Sequence, residues 1–495
     1  MSRYLSSEFL CEGWKRAMTG FFFVCLIFMQ IIKNWRVKMK QFKKALFIFH
    51  RDLRTIDNTG LNKALAESEE VLPIFIFEPA QVEESNKYRS MSAVQFMIES
   101  LGDLADQLAK KGGKLFFFYG LTQEIIERLV KDEVIDAVFS NRDYTPFARK
   151  RDAELEKVVV KKGAAWFSVE DALLCDPDTI FTGKGTPYTI YTAFLKKAIQ
   201  TKVQQPIECA KGSFFTGHSS HETTVAAVKK KIGLSDRSLF EQGGRASAKK
   251  ILNHISRFKN YTEIRDYPTQ KTTGLSAHLK FGTVSAREVF YAVKQEKADL
   301  QILKQLYWRD FFTYLAYHFP YVFGKAFVKK YQDIPWQENK PWFMRWCEGT
   351  TGFPLVDAGM RQLNETGYMH NRVRMVVASF LTKDMHIDWR KGERYFAQHL
   401  VDYDPCVNNG NWQWAASTGA DAQPYFRIFN PWLQQKKFDP ECEYIKQWVP
   451  ELRHFSLKEI HSWYKAVEPK NGYPLPVLDH GIESKKTLAL FMQVK

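Results

Sequence analysis

ALFIFH at residues 45–50 and VLPIFIF at 71–77 decide the first half of the fold. Both runs are apolar without alternation, and a strand with no polar positions has no face to turn toward water. Three more follow: KLFFFY at 114–119, VIDAVFS at 134–140 and AAWFSVE at 164–170. Segments with helical periodicity, such as 91–111 and 121–132, separate them. Continuous apolar strands alternating with helices predict a parallel sheet covered on both faces. The expectation is a doubly wound α/β domain over residues 42–175. No GxGxxG or phosphate-loop pattern follows the first strand, so no dinucleotide site is expected there.

Working outward, residues 176–240 mix Pro, Gly, Ser and Lys and read as a connector. Beyond it strand signals fade and amphipathic helices dominate, giving an all-α domain over 241–485. Two domains suit 495 residues. Residues 1–41 form an extension that reads as disordered or as the product of an upstream start, with Met39 just ahead of the first strand. Its apolar run FFFVCLIFMQII at 21–32 is short for a membrane span. No small-residue cleavage site follows it. A membrane enters only if that run is real and retained.

The chain carries 71 basic and 55 acidic residues, a formal charge of +16. The first 44 residues hold nine of the basic and two of the acidic ones, so the rest is only moderately basic. Such a surplus attracts polyanions without selecting one. Seven scattered cysteines, with no CxxC pair, exclude a disulfide framework and a zinc ribbon. No metal is implied, and a reducing, cytoplasmic setting fits. Aromatic residues reach 15%, enough to supply a large core and also flat surfaces for a ring.

Two stretches carry chemistry. In GYMHNRVRMVVASFL, 367–381, Val373, Val376, Val377, Phe380 and Leu381 form one apolar stripe. Asn371 and Met375, four apart, share another face. In DYDPCVNNGNWQW, 402–414, two Asp, Asn residues and a Gly read as a loop ahead of two tryptophans. Carboxylates there can bind ribose hydroxyls, an amide can meet a flavin nitrogen, and Trp414 offers a surface for a base.

The run NNGNWQWAASTGADAQPYFRIFN, 408–430, with TGFPLVDAGMRQLNETGYMHNRVRM, 351–375, resembles the photolyase/cryptochrome family. FHRDLRTIDN at 49–58 is similar to that family's opening strand and loop, and WRDFF at 308–312 to its central helix. The resemblance spans about residues 44–490 and leans toward the class I branch acting on cyclobutane pyrimidine dimers.

The resemblance implies FAD in the helical domain. Tyr261, Thr273, Gly274, Leu275 and Ser276 match its phosphate-side loop. Gln305, Arg309, Asn371, Arg374, Asp402, Tyr403 and Asp404 match positions around ring, ribose and adenine, with Asp402 paired to Arg374. Asn408 matches the residue opposite flavin N5. Trp336, Trp389 and Trp412 match an electron relay from surface to flavin, in which indoles break one long tunnelling distance into short hops. Trp308 and Trp414 match the walls that grip a flipped lesion. Gln305, Asn371 and Met375 match residues touching it, and Arg265, Arg372, Arg427 and Gln434 match DNA contacts. The implied reaction is light-driven electron transfer from reduced FAD to the dimer in damaged DNA. The family expectation is a monomer without a stable protein partner.

Gln305 departs from the glutamate of many cyclobutane-dimer enzymes and is similar to six-four photolyases. Those, however, carry histidine at the positions of Asn371 and Met375. Tyr368 replaces a family tryptophan and receives no role. The position of the folate-holding acid aligns with Ala148, leaving folate, deazaflavin, flavin or no antenna open, and His50, Arg51, Asp52 and Arg54 read as structural. The rival readings are a cryptochrome-type photoreceptor, a six-four photolyase, and a DNA-binding protein with a vestigial flavin site.

Overall fold

The computed structural model describes residues 40–494. The extension, with its apolar run at 21–32, therefore lies outside the described residues except for Lys40 and Gln41.

Strands β1 (Phe42–Phe49), β2 (Ser68–Phe77), β3 (Phe116–Tyr119), β4 (Ala137–Asn141) and β5 (Ala165–Val169) lie in the order β3-β2-β1-β4-β5. All pairings are parallel. Residues alternate between faces along β1. Phe47 and Phe49 pack with Leu101, Leu104 and Leu108, and Leu46 and Ile48 pack with Ile126, Leu129 and Val159. Helices α1 (Thr59–Glu67) and α2 (Met91–Ala109) cover the first face. Helices α3 (Thr122–Asp132) and α4 (Pro146–Lys161) cover the second. This two-sided cover is why the strands read as unbroken apolar runs. The stretch 176–240 also reaches the sheet, since β6 (Ser213–Phe214) pairs with β2.

The second half is helical. Helices α5 (Ser276–Phe281), α6 (Ala286–Gln295), α7 (Gln301–His318), α8 (Asn371–Ser379), α9 (Trp389–His399) and α10 (Pro405–Ala415) carry the residues that matter below. The whole apolar stripe of α8 is buried, and its helix runs on into a wider π-type turn over Phe380–Asp384. One expectation is corrected. The stretch 402–414 is not a loop: only its first residues are extended, and α10 begins at Pro405. Asp404 caps the helix by accepting from the Cys406 and Val407 N–H groups, and Pro405 supplies a preset first turn. Interior packing then outweighs the poor helix propensity of Asn408, Asn409 and Gly410.

The halves are joined by a buried polar clamp. The loop after β1 sends Arg54 to Asp171 at 2.6 Å, and Arg287 of α6 reaches Asp171 and Asp57, both at 2.9 Å. Asp171 also accepts from the Thr59 N–H and hydroxyl. Gly282 ends α5 at a φ of 64°, and a Cβ there would stand 2.2 Å from the Arg51 carbonyl, so only glycine lets the loop approach this closely. Burial alone would raise the Asp171 pKa, but Arg54 and Arg287 hold it well below the usual carboxylate range. A carboxylate depressed in this way stabilises the fold at neutral pH and loses that contribution as pH falls.

Asp171→Ala would strand two buried guanidinium groups. The variant should lose about 3–5 kcal/mol in denaturant unfolding. Lys150→Ala, on a side chain 80% exposed, should change stability by less than about 0.5 kcal/mol.

Candidate functional site

A cavity of about 480 Å³ opens in the helical domain between the loop ahead of α5, helices α7, α8 and α10, and the 402–404 turn. Every residue matched above to the cofactor lines it: Tyr261, Thr273, Gly274, Leu275, Ser276, Gln305, Arg309, Asn371, Arg374, Asp402, Tyr403, Asp404 and Asn408. Segments almost 150 residues apart thus converge on one space. Its walls mix apolar groups, among them Leu279, Val289, Ile302 and Phe396, with hydroxyls, amides and cations. That combination suits a ligand with an apolar ring at one part and anionic or hydroxylated groups at another.

The polar groups are held in place. Arg374 makes a two-pronged contact to Asp402, at 2.9 and 3.2 Å, and its Nε donates to the Met369 carbonyl at 2.7 Å. Two parallel charge-assisted bonds fix the guanidinium plane. Asp404 is ion-paired with Arg51 across the domain boundary while it caps α10. Burial alone would raise its pKa, yet Arg51 and Lys280 hold it well below the usual range. Lys280, a cavity residue that sequence reasoning missed, is pushed down to about 8 by burial and then by Arg51. Asn408 is buried and donates through Nδ2 to the Glu393 carbonyl at 3.1 Å, which sets the plane of its amide. Gln305 faces the cavity with only a 3.4 Å contact to its own helix.

Trp412 lines the cavity and is 2% exposed, Trp389 is fully buried, and Trp336 is partly exposed. The three belong to one packed cluster. Helix α9 comes against the Trp412 ring at Gly392, where a Cβ would stand 2.2 Å from Cη2. Trp336 meets Phe491 of the C-terminal helix at 6.4 Å.

Trp308, Trp414, Asn371, Met375 and Arg265 also line the cavity. Trp308 is stacked on Tyr191 at 3.6 Å. Tyr191 lies in the stretch read as connector, and no signal in its sequence marks it as a support for the cavity wall. Asn371 and Met375 are side by side, with Nδ2 3.7 Å from the sulfur. Arg372, Arg427 and Gln434 lie outside the cavity lining. Arg427 is exposed, and Arg372 is paired with Asp266. Tyr368 lines the cavity and stacks on Phe240 at 4.0 Å. In the α/β domain, the crevice beyond the ends of β1 and β4 measures about 20 Å³. His50, Arg51, Asp52 and Asp143 line it. Ala148 is buried in the first turn of α4.

Residues 45–211 match the family model described as DNA photolyase, and residues 302–493 match the FAD binding domain of DNA photolyase. A deoxyribodipyrimidine photo-lyase from Synechococcus is 36% identical over 473 residues, covering 91% of this chain and 96% of its own. The archaeal photolyase from Sulfolobus tokodaii, a structure with two FAD molecules, is 43% identical with a TM-score of 0.83. It covers 91% of this chain and is itself covered completely, at 100%. The cryptochrome from Synechocystis is 28% identical with a TM-score of 0.84, covering 91% of this chain and 100% of its own.

Two glycine substitutions separate helix propensity from packing. Gly102→Ala in α2 meets nothing within 4 Å and should stabilise by about 0.5–1 kcal/mol. Gly392→Ala gains the same propensity but must displace Trp412, and overpacking of about 1–3 kcal/mol should win. Thermal unfolding should therefore move in opposite directions, and Trp412 emission should change only in the second.

Proposed function

The chain belongs to the DNA photolyase family, and from that premise we propose that it repairs cyclobutane pyrimidine dimers in DNA using light and reduced FAD. The observation that carries this reading is the convergence of thirteen cofactor-matched residues on one cavity that also holds Trp308, Trp414 and Met375.

The donor set fits a flavin dinucleotide. Thr273 and Ser276 hydroxyls, backbone N–H groups of the same loop and Lys280 would hold the phosphates. Arg374, fixed by Asp402, and the oriented amide of Asn408 would face the ring. Reduced FAD, when bound and excited, supplies an electron to the lesion and receives it back after the cyclobutane bonds open. The protein's own work is positional. Trp308 and Trp414 give apolar walls against which an extruded pyrimidine dimer can rest, offsetting the few kcal/mol that extrusion costs. Asn371, Met375 and Gln305 would contact the lesion from α8 and α7. Exposed Arg427 and the basic surface would bind flanking phosphates. Trp412, Trp389 and Trp336 would carry electrons inward from the surface to restore the reduced cofactor between turnovers.

Gln305 is the one residue that favours a six-four substrate. Asn371 and Met375, neither of which can donate a proton as an imidazolium does, weigh against it. Repair over signalling is supported by the relatives named photo-lyase at 34–36% identity, against 28% for the cryptochrome.

Purified, photoreduced protein should restore thymine absorbance in a cyclobutane-dimer oligonucleotide under blue light, with no change in the dark and none on a six-four oligonucleotide. Failure on the first substrate ends the proposal. Trp412→Phe should slow photoreduction of the oxidised cofactor strongly while pre-reduced protein keeps its repair rate. Equal loss of both would remove the relay assignment.

A further inference from the structure

Asp266 lines the cavity at its rim, and both arginines assigned to DNA on that side point to it. Arg372 Nη2 lies 2.8 Å from Asp266 Oδ2, and Arg265 Nε lies 4.0 Å from Oδ1. Arg372 is also laid over the Phe438 ring at 4.3 Å, which fixes its plane, and its side chain is only 14% exposed. Its Nε is buried and has no acceptor. The carboxylate therefore occupies the position on Arg372 where an incoming phosphate oxygen would bind, and it lowers the net charge of the three groups to that of a single cation. A carboxylate presents two oxygens to a guanidinium much as a phosphate does.

We infer that Asp266 is an internal stand-in for a DNA phosphate, a brake that any duplex must release before Arg372 can grip its backbone. The inference rests on the DNA-repair reading above. A phosphate of undamaged duplex must displace Asp266 and receives nothing further in return. A flipped lesion adds its contacts with Trp308 and Trp414, which offset the lost ion pair. Asp266 thus subtracts equally from all DNA binding, so that undamaged duplex is released while the added contacts keep a lesion bound.

The test is dark binding of undamaged and dimer-containing duplexes across a salt series, using flavin-loaded protein. Asp266→Asn should bind undamaged duplex roughly fivefold more tightly, the size of one partly exposed ion pair. The slope of log K against log salt should steepen by about one. Dimer-containing duplex should gain by the same factor, so the ratio between the two stays near that of the wild type. Asp266→Glu, which keeps the charge, should stay near wild type. Glu154→Gln, which removes one surface charge from the other domain, should leave both affinities unchanged. Undamaged-duplex affinity that is unaltered or weaker in Asp266→Asn overturns the inference, and so does a gain confined to one of the two duplexes. A wild-type protein without preference for damaged duplex overturns the repair reading instead. If Asp266→Asn fails to retain flavin, Asp266→Ser carries the same test, with the same gain expected for both duplexes and an unaltered affinity overturning the inference.

Discussion

The buried clamp between Arg54, Asp171, Arg287 and Asp57 is the constraint on which the rest depends. Each of these side chains is nearly excluded from water, so each charge needs its partners. The clamp draws the loop after β1 against the ends of α5 and α6. That contact in turn sets the start of the helical domain, where the loop containing Thr273 and Ser276 enters the cavity. Hydrophobic burial supplies most of the stability, but it would tolerate many relative placements of two domains. The ion network tolerates few.

Much of this was legible in the sequence, for reasons that differ by region. The parallel sheet was readable because two-sided cover makes strands uniformly apolar, and β1 meets that condition along Ala45–Phe49. The cavity was readable only through resemblance, since no local rule gathers Tyr261, Gln305, Arg374 and Asn408 into one place. The stretch 402–414 was misread because turn formers were counted without the cap. Asp404 followed by Pro405 is a helix start, and tertiary contacts then hold Asn408 and Asn409 inside the helix. Lys280 and Tyr191 were missed for the opposite reason. Each looks ordinary along the chain and matters only because of what lies across from it.

The cavity combines fixed and free groups in a way that suits its proposed work. Arg374, Asp402, Asp404 and Asn408 are all tied by hydrogen bonds or ion pairs. Gln305 and Met375 have weak contacts only. Rigid donors keep a cofactor in one pose without reorganisation, and loosely held groups can adjust to a substrate that arrives from a deformed duplex. The tryptophans extend the same division outward, with Trp389 locked inside the core and Trp336 at the boundary with water.

Asp404 joins these themes, because one carboxylate both begins α10 and grips Arg51 of the other domain. Asn408 lies one helical turn further on, its N–H bonded to the Asp404 carbonyl at 2.8 Å. The first turn of the helix that carries that amide is therefore tied to the α/β half. A chimera that exchanged the two halves between relatives would have to carry the 50–57 segment along with the helical half, or α10 would begin without its partner across the boundary.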